Sequence, residues 1–88
     1  MEIIMDTNNI KEKLIKTIKK TSQEELLFDI KDTTNIFTDL SFDSFKMITL
    51  LIEIESTFNV SIDEDDYDYE KISTIGELIK MIAGKVNG

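Results

Sequence analysis

In the stretch Phe42-Asp43-Ser44-Phe45 a hydroxyl directly follows a carboxylate, lies between two aromatic side chains, and opens a long apolar run. A serine becomes a nucleophile when a neighbouring base takes its proton. The chain contains no histidine and no cysteine, and no lysine stands in a motif that would form a Ser–Lys pair. Catalysis by the chain itself is therefore not expected. Capping is the ordinary duty of a serine at a helix start, but Asp43 is already placed to cap the helix that follows. Ser44 is either a redundant cap or a hydroxyl kept for another purpose.

The second candidate for chemistry is the acidic stretch Asp63–Glu70, DEDDYDYE. A calcium loop of the EF-hand kind starting at Asp63 needs glycine at its sixth position and glutamate at its twelfth. Those positions hold Asp68 and Thr74, so the pattern fails and no metal site is expected. A solvated charge run explains the stretch more simply.

Helices must position these groups. Ile10, Leu14 and Ile18 recur every four residues with Ile15 alongside, which predicts a first helix over roughly Asn8–Lys20. Asp6, Thr7 or Asn8 can cap it, and Lys19 and Lys20 suit the negative end of its dipole. The connection that follows, 21–43, is long but not polar, since it holds Leu26, Leu27, Phe28, Ile30, Ile36, Phe37, Leu40 and Phe42. It should pack onto the helices, with a helical turn at Ser22, where the spacing to Glu25 fits a capping box. The second helix is predicted over Ser44–Phe58, ending at Asn59, a residue that tolerates the left-handed conformation. The acidic stretch is at most a short, irregular helix. A last helix is expected over about Thr74–Val86, with Ser73 or Thr74 as its cap and, if Thr74 is the cap, a capping box to Glu77. The fold class is all-α: a small four-helix bundle of three main helices and a short third one, with a long first loop. With 88 residues and no repeat, one domain over 1–88 is expected.

On a helical wheel the second helix shows two apolar arcs. Met47, Leu50, Leu51, Ile54 and Phe58 make an ordinary core stripe. Phe45, Ile48 and Ile52 make a second arc beside Ser44, with Glu55 projecting between Ser44 and Ile48. Either the long loop covers this second arc, or a partner does.

The net charge is −8, divided as −2 over residues 1–42 and −6 over residues 43–88. That balance repels nucleic acid and anionic membrane and complements basic protein surfaces. No apolar run approaches the roughly 20 residues that span a bilayer, so no membrane insertion is expected. The N-terminus lacks the basic start and apolar core of a signal peptide, and the absence of cysteine fits a cytoplasmic protein.

Taken together, Asp43-Ser44-Phe45, the ending Glu55-Ser56-Thr57-Phe58 and the closing Thr74-Ile75-Gly76-Glu77-Leu78 resemble the acyl carrier protein family, peptidyl carrier domains included. The resemblance covers about residues 36–83. It implies a non-catalytic, monomeric carrier whose Ser44 bears a 4′-phosphopantetheine arm taken from coenzyme A. The arm would hold acyl or aminoacyl intermediates as thioesters in fatty-acid, polyketide or other specialised biosynthesis. Implied partners are a phosphopantetheinyl transferase, an acyl- or aminoacyl-loading enzyme and downstream synthase enzymes, meeting Asp43, Phe45, Ile48, Ile52 and Glu55. A phosphodiester on Ser44 would sit at the positive end of the helix dipole.

Several positions depart from the family pattern. Ser41 replaces a usual glycine, Phe45 a usual leucine and Asp63 a common proline, while Lys46 and Thr49 stand where acidic residues are frequent. The spacing from Ile62 to Ile72 is also longer than in typical fatty-acid carriers. These features resemble stand-alone peptidyl, D-alanyl or specialised-pathway carriers. A carrier-fold interaction domain without an arm is the remaining alternative.

Overall fold

The computed structural model describes residues 6–22 and 29–87. Helix α1 spans Thr7–Ser22, α2 spans Ser44–Phe58, a single 3₁₀ turn covers Glu64–Asp66, and α3 spans Ile75–Asn87. The 3₁₀ turn is the short third helix of the expected bundle, and among the described residues the chain is otherwise helix and loop with one isolated bridge between Asn35 and Thr74.

Helix α1 starts where Asp6 Oδ1 accepts the Asn9 N–H at 2.8 Å, which selects Asp6 among the possible caps. It buries Ile10, Leu14 and Ile18 completely. It also runs two residues beyond the predicted end. Thr17 and Thr21 are buried, and each donates its hydroxyl at 2.8 Å to the carbonyl four residues back, so their polar atoms are satisfied inside the helix. Ser22 is the last residue of α1, and the helical turn and capping box expected at Ser22–Glu25 lie outside the described residues.

The N-cap of α2 is Asp43, whose Oδ1 accepts the Lys46 N–H at 2.8 Å. The helix ends at Asn59 in the left-handed conformation, with φ 54°. Met47, Leu50, Leu51 and Ile54 are fully buried and Phe58 nearly so, as the core stripe requires. In α3, Glu77 N–H donates to Thr74 Oγ1 at 3.2 Å while Glu77 Oε1 accepts the Thr74 N–H at 3.1 Å. This is the predicted reciprocal capping box. Ile75, Leu78 and Ile82 close the core, and α1 packs on both α2 and α3.

The described part of the long connection is tied down as its apolar content requires. Ile30, Ile36, Leu40 and Phe42 are buried. Asn35 Oδ1 accepts the N–H groups of Phe37 and Thr38, while Asp39 Oδ2 accepts the Asn35 N–H, which makes a compact hydrogen-bonded corner. The corner is joined to the start of α3 by three backbone bonds: Ile36 N–H to the Ser73 carbonyl at 2.7 Å, Ile75 N–H to Thr34 at 3.1 Å, and Gly76 N–H to Asp32 at 2.8 Å. A Cβ at position 76 would lie 3.2 Å from that Asp32 oxygen, so a glycine lets the backbones come this close. Phe42 N–H then donates to the Ile36 carbonyl, which carries the same network to the threshold of α2.

The acidic segment is tied to α3 by a half-buried ion pair. Asp66 Oδ2 accepts the Asp63 N–H at 2.9 Å and pairs with Lys85 Nζ at 2.8 Å. Hydrogen bonding to Lys85, and secondarily to the Asp63 backbone, holds the Asp66 carboxyl below its ordinary 3.8.

Candidate functional site: the start of helix α2

Ser44 is the first residue of α2, and its side chain is exposed. Asp43 consumes the Lys46 N–H with its carboxylate and the Met47 N–H with its carbonyl. Among the described residues the Ser44 and Phe45 N–H groups have no protein acceptor, and Ser44 Oγ has no hydrogen-bond partner. Two free donors therefore stand at the positive end of a 15-residue helix, beside an accessible hydroxyl. That arrangement accommodates a phosphoester on Ser44 and offers no base to activate it.

The turn leading into the site is unusual. Ser41 adopts φ 59°, a left-handed conformation in which an L side chain is crowded and glycine is at ease. The departure noted at this position, serine for glycine, thus falls on the residue whose backbone most favours glycine. Lys46 folds away from solvent. Its Nζ lies 3.4 Å from the Ser22 carbonyl at the C-terminal end of α1 and 5.8 Å from the centroid of the Phe42 ring.

Beyond Ser44, Phe45 is 78% exposed, Ile48 43% and Ile52 55%. At positions i, i+3 and i+7 they share one face of α2. Among the described residues the connection leaves this second arc exposed. Glu55 shares the azimuth but follows eleven residues later, about 16 Å along the axis at 1.5 Å per residue. Its carboxylate is also engaged, accepting the Ile62 N–H at 3.1 Å, so it pins the segment after α2. Sequence reasoning missed that bond, as it missed the anchoring of Lys46. Neither contact has a local signature: Lys46 reaches a carbonyl 24 residues back, and Glu55 reaches past the end of its helix to an amide seven residues on, a spacing no cap or turn motif marks. Glu53, on a neighbouring face, is paired with Lys20 at 3.3 Å.

An open cleft of about 430 Å³ lies elsewhere, between the acidic segment and α3, lined by Asp65, Asp66, Asp68, Lys71, Ile72, Glu77, Lys80 and Met81. Among the described residues no cluster of acidic side chains could hold a metal ion, and no helix is long and apolar enough to cross a membrane.

Comparison with known proteins bears on this same region. The family model described as "Phosphopantetheine attachment site" matches residues 12–82. An acyl carrier protein of Thermotoga maritima is 32% identical over 79 residues, covering 86% of this chain and 95% of that protein. One of Cyanidium caldarium is 36% identical over 66 residues, covering 75% of this chain and 70% of that protein. A solution structure from Anaplasma phagocytophilum, assigned to the acyl carrier proteins, superposes with a TM-score of 0.74 at 21% identity and 94% coverage of both chains. With a helical frame shared with that structure and a family match across most of its length, this chain belongs to the acyl carrier protein family, defined by a site for attaching phosphopantetheine.

Proposed function

We propose that Ser44 is the residue that bears 4′-phosphopantetheine and that the protein carries acyl or aminoacyl groups for partner enzymes. The observation that carries this reading is the exposed Ser44 hydroxyl at the first position of α2, beside two unpartnered N–H groups. It lies within the matched residues 12–82. When attached, the arm supplies a terminal thiol that holds its cargo as a thioester. The chain itself has no cysteine to compete for that cargo.

The residues of the chain position and do not activate. Asp43 holds the first turn of α2 closed, which keeps the hydroxyl facing outward. The first-turn N–H groups and the helix dipole stabilise the negative phosphodiester that results. Attachment forms a bond from Ser44 Oγ to phosphorus and breaks the phosphoanhydride bond of coenzyme A. Adenosine 3′,5′-bisphosphate leaves, and the hydroxyl proton passes to a phosphopantetheinyl transferase. That base must come from the transferase, since none reaches Oγ among the described residues. The carrier is thus a substrate of its partners, namely the transferase, a loading enzyme and the synthase enzymes downstream, in the cytoplasm where coenzyme A is at hand.

Mass spectrometry tests the assignment. With coenzyme A, Mg²⁺ and a broad-specificity phosphopantetheinyl transferase, the protein gains one phosphopantetheine and Ser44→Ala gains none. Modification of that variant at Ser41 or Ser56 would overturn it.

A further inference from the structure

One side chain joins three segments at the start of α2. Lys46 is half-buried, with its Nζ 3.4 Å from the carbonyl of Ser22, the last residue of α1, and 5.8 Å from the centroid of the Phe42 ring. Its own N–H is the one that the Asp43 carboxylate accepts at 2.8 Å. The residue is therefore held at both ends: by its backbone to the cap of α2, and by its ammonium to the negative end of α1. Phe42 beneath it is buried and donates its N–H to the Ile36 carbonyl, so the contact also reaches the loop corner. Ser44 stands inside this span, directly after the cap and two residues before Lys46, with the left-handed Ser41 just ahead. At 100° per residue, Lys46 projects about 200° round the helix from Ser44, away from the exposed Phe45. A first turn whose leading N–H groups lack acceptors among the described residues is the part of a helix that frays most readily.

We propose that Lys46 is a positioning residue for arm transfer, which clips the first turn of α2 to the end of α1 and so keeps the Ser44 hydroxyl aimed outward. The proposal rests on the assignment of Ser44 as the attachment residue. Forming the bond from Ser44 Oγ to phosphorus depends steeply on how that hydroxyl is aimed. Asp43 fixes the turn from within the helix, whereas Lys46 fixes it against a second helix, so neither contact replaces the other. Removing the ammonium deletes a charge-assisted bond to a helix end and a contact with an aromatic face. An apolar side chain of similar length still covers Phe42, so the packing beneath is kept.

The test compares Lys46→Met, which keeps the stem and loses the charge, with Lys46→Arg, which keeps both; Lys46→Gln is a second neutral variant. In the free protein, deuterium exchange at the amides of residues 46 and 47 should be about threefold faster or more in the neutral variants. Lys46→Arg should return it close to wild type. Arm transfer is then followed with coenzyme A, Mg²⁺ and a broad-specificity transferase in excess. The saturating single-turnover rate should fall about threefold or more in the neutral variants and recover in Lys46→Arg. The transferase concentration giving half that rate should stay unchanged, because the docking surface is intact and only the aim is loosened. Wild-type exchange in the neutral variants would overturn the clip, and faster exchange with an unchanged rate would overturn its part in transfer. A change confined to the half-saturating concentration would mean that the enzyme reads Lys46 directly, which also overturns the positioning role. A wild type that gains no arm would remove the Ser44 assignment and this role together, an outcome the exchange data keep separate because they need no transferase.

Discussion

Ser41 carries the clearest local strain near the site. A non-glycine residue in the left-handed region costs roughly 1–2 kcal/mol, and glycine there gives back part of that gain as unfolded-chain entropy. Ser41→Gly should therefore stabilise the protein by about 0.5–1 kcal/mol, read as a rise in the midpoint of thermal unfolding. A midpoint that fell would mean the Ser41 side chain contributes something its backbone angle conceals. Position 41 was half legible in advance: the family pattern marks it as a glycine site, but only the structure shows that the serine keeps the glycine conformation. The role proposed for Ser44 has a different source. It rests on an ordered set of motifs, whereas residue chemistry alone favoured a redundant cap. Glu55 shows the limit of the wheel projection. Azimuth is readable from sequence, but the bond to the Ile62 amide beyond the end of the helix is not.

At the scale of the element, α2 tests whether its two apolar faces differ in kind. Leu50 and Ile54 are fully buried, so truncating either to alanine should cost roughly 2–5 kcal/mol. Ile48→Ala and Ile52→Ala should each cost much less, since about half of each side chain already meets solvent. Denaturant unfolding of the four variants decides it, and equal losses would mean that the outer face is core. The bounds of α2 were readable from sequence because the signals at both ends are local: an aspartate cap, and an asparagine able to adopt positive φ. The end of α1 was not, because its two extra residues lie on a buried face where the Thr21 hydroxyl donates to the Thr17 carbonyl. The course of the connection was readable only as apolar content. Its corner is built from Asn35 and Asp39 bonds that composition does not announce.

Across the whole molecule, two ties among those in the described residues bear on how the segments between helices are held. One is Asp66–Lys85, whose side chains are 25% and 21% exposed. Because the Asp66 carboxyl is held below its ordinary 3.8 in the folded state, its contribution is fully present above that pH. It is lost as pH falls from about 3.8 through the lowered folded value. Acid titration of stability should show a steeper fall below pH 4 in the wild type than in Asp66→Asn, which lacks this contribution at every pH. Parallel curves would place the acid sensitivity in other carboxylates.

The other tie is the loop corner clasped to the start of α3. The first amides of a helix ordinarily have no acceptor and exchange with solvent deuterium almost freely. Ile75 and Gly76 do not fit that rule, because Thr34 and Asp32 supply their acceptors. Their deuterium uptake should be slow, and should share one opening free energy with the Ile36 and Phe42 amides, as a single cooperative unit does. Uptake at Ile75 and Gly76 as fast as at an ordinary helix start would show that the corner opens independently of α3. If the four amides open together, the turn that presents Ser44 is rigid only while α3 is docked. A partner pulling on α3 would then loosen the start of α2, where the proposed attachment residue stands.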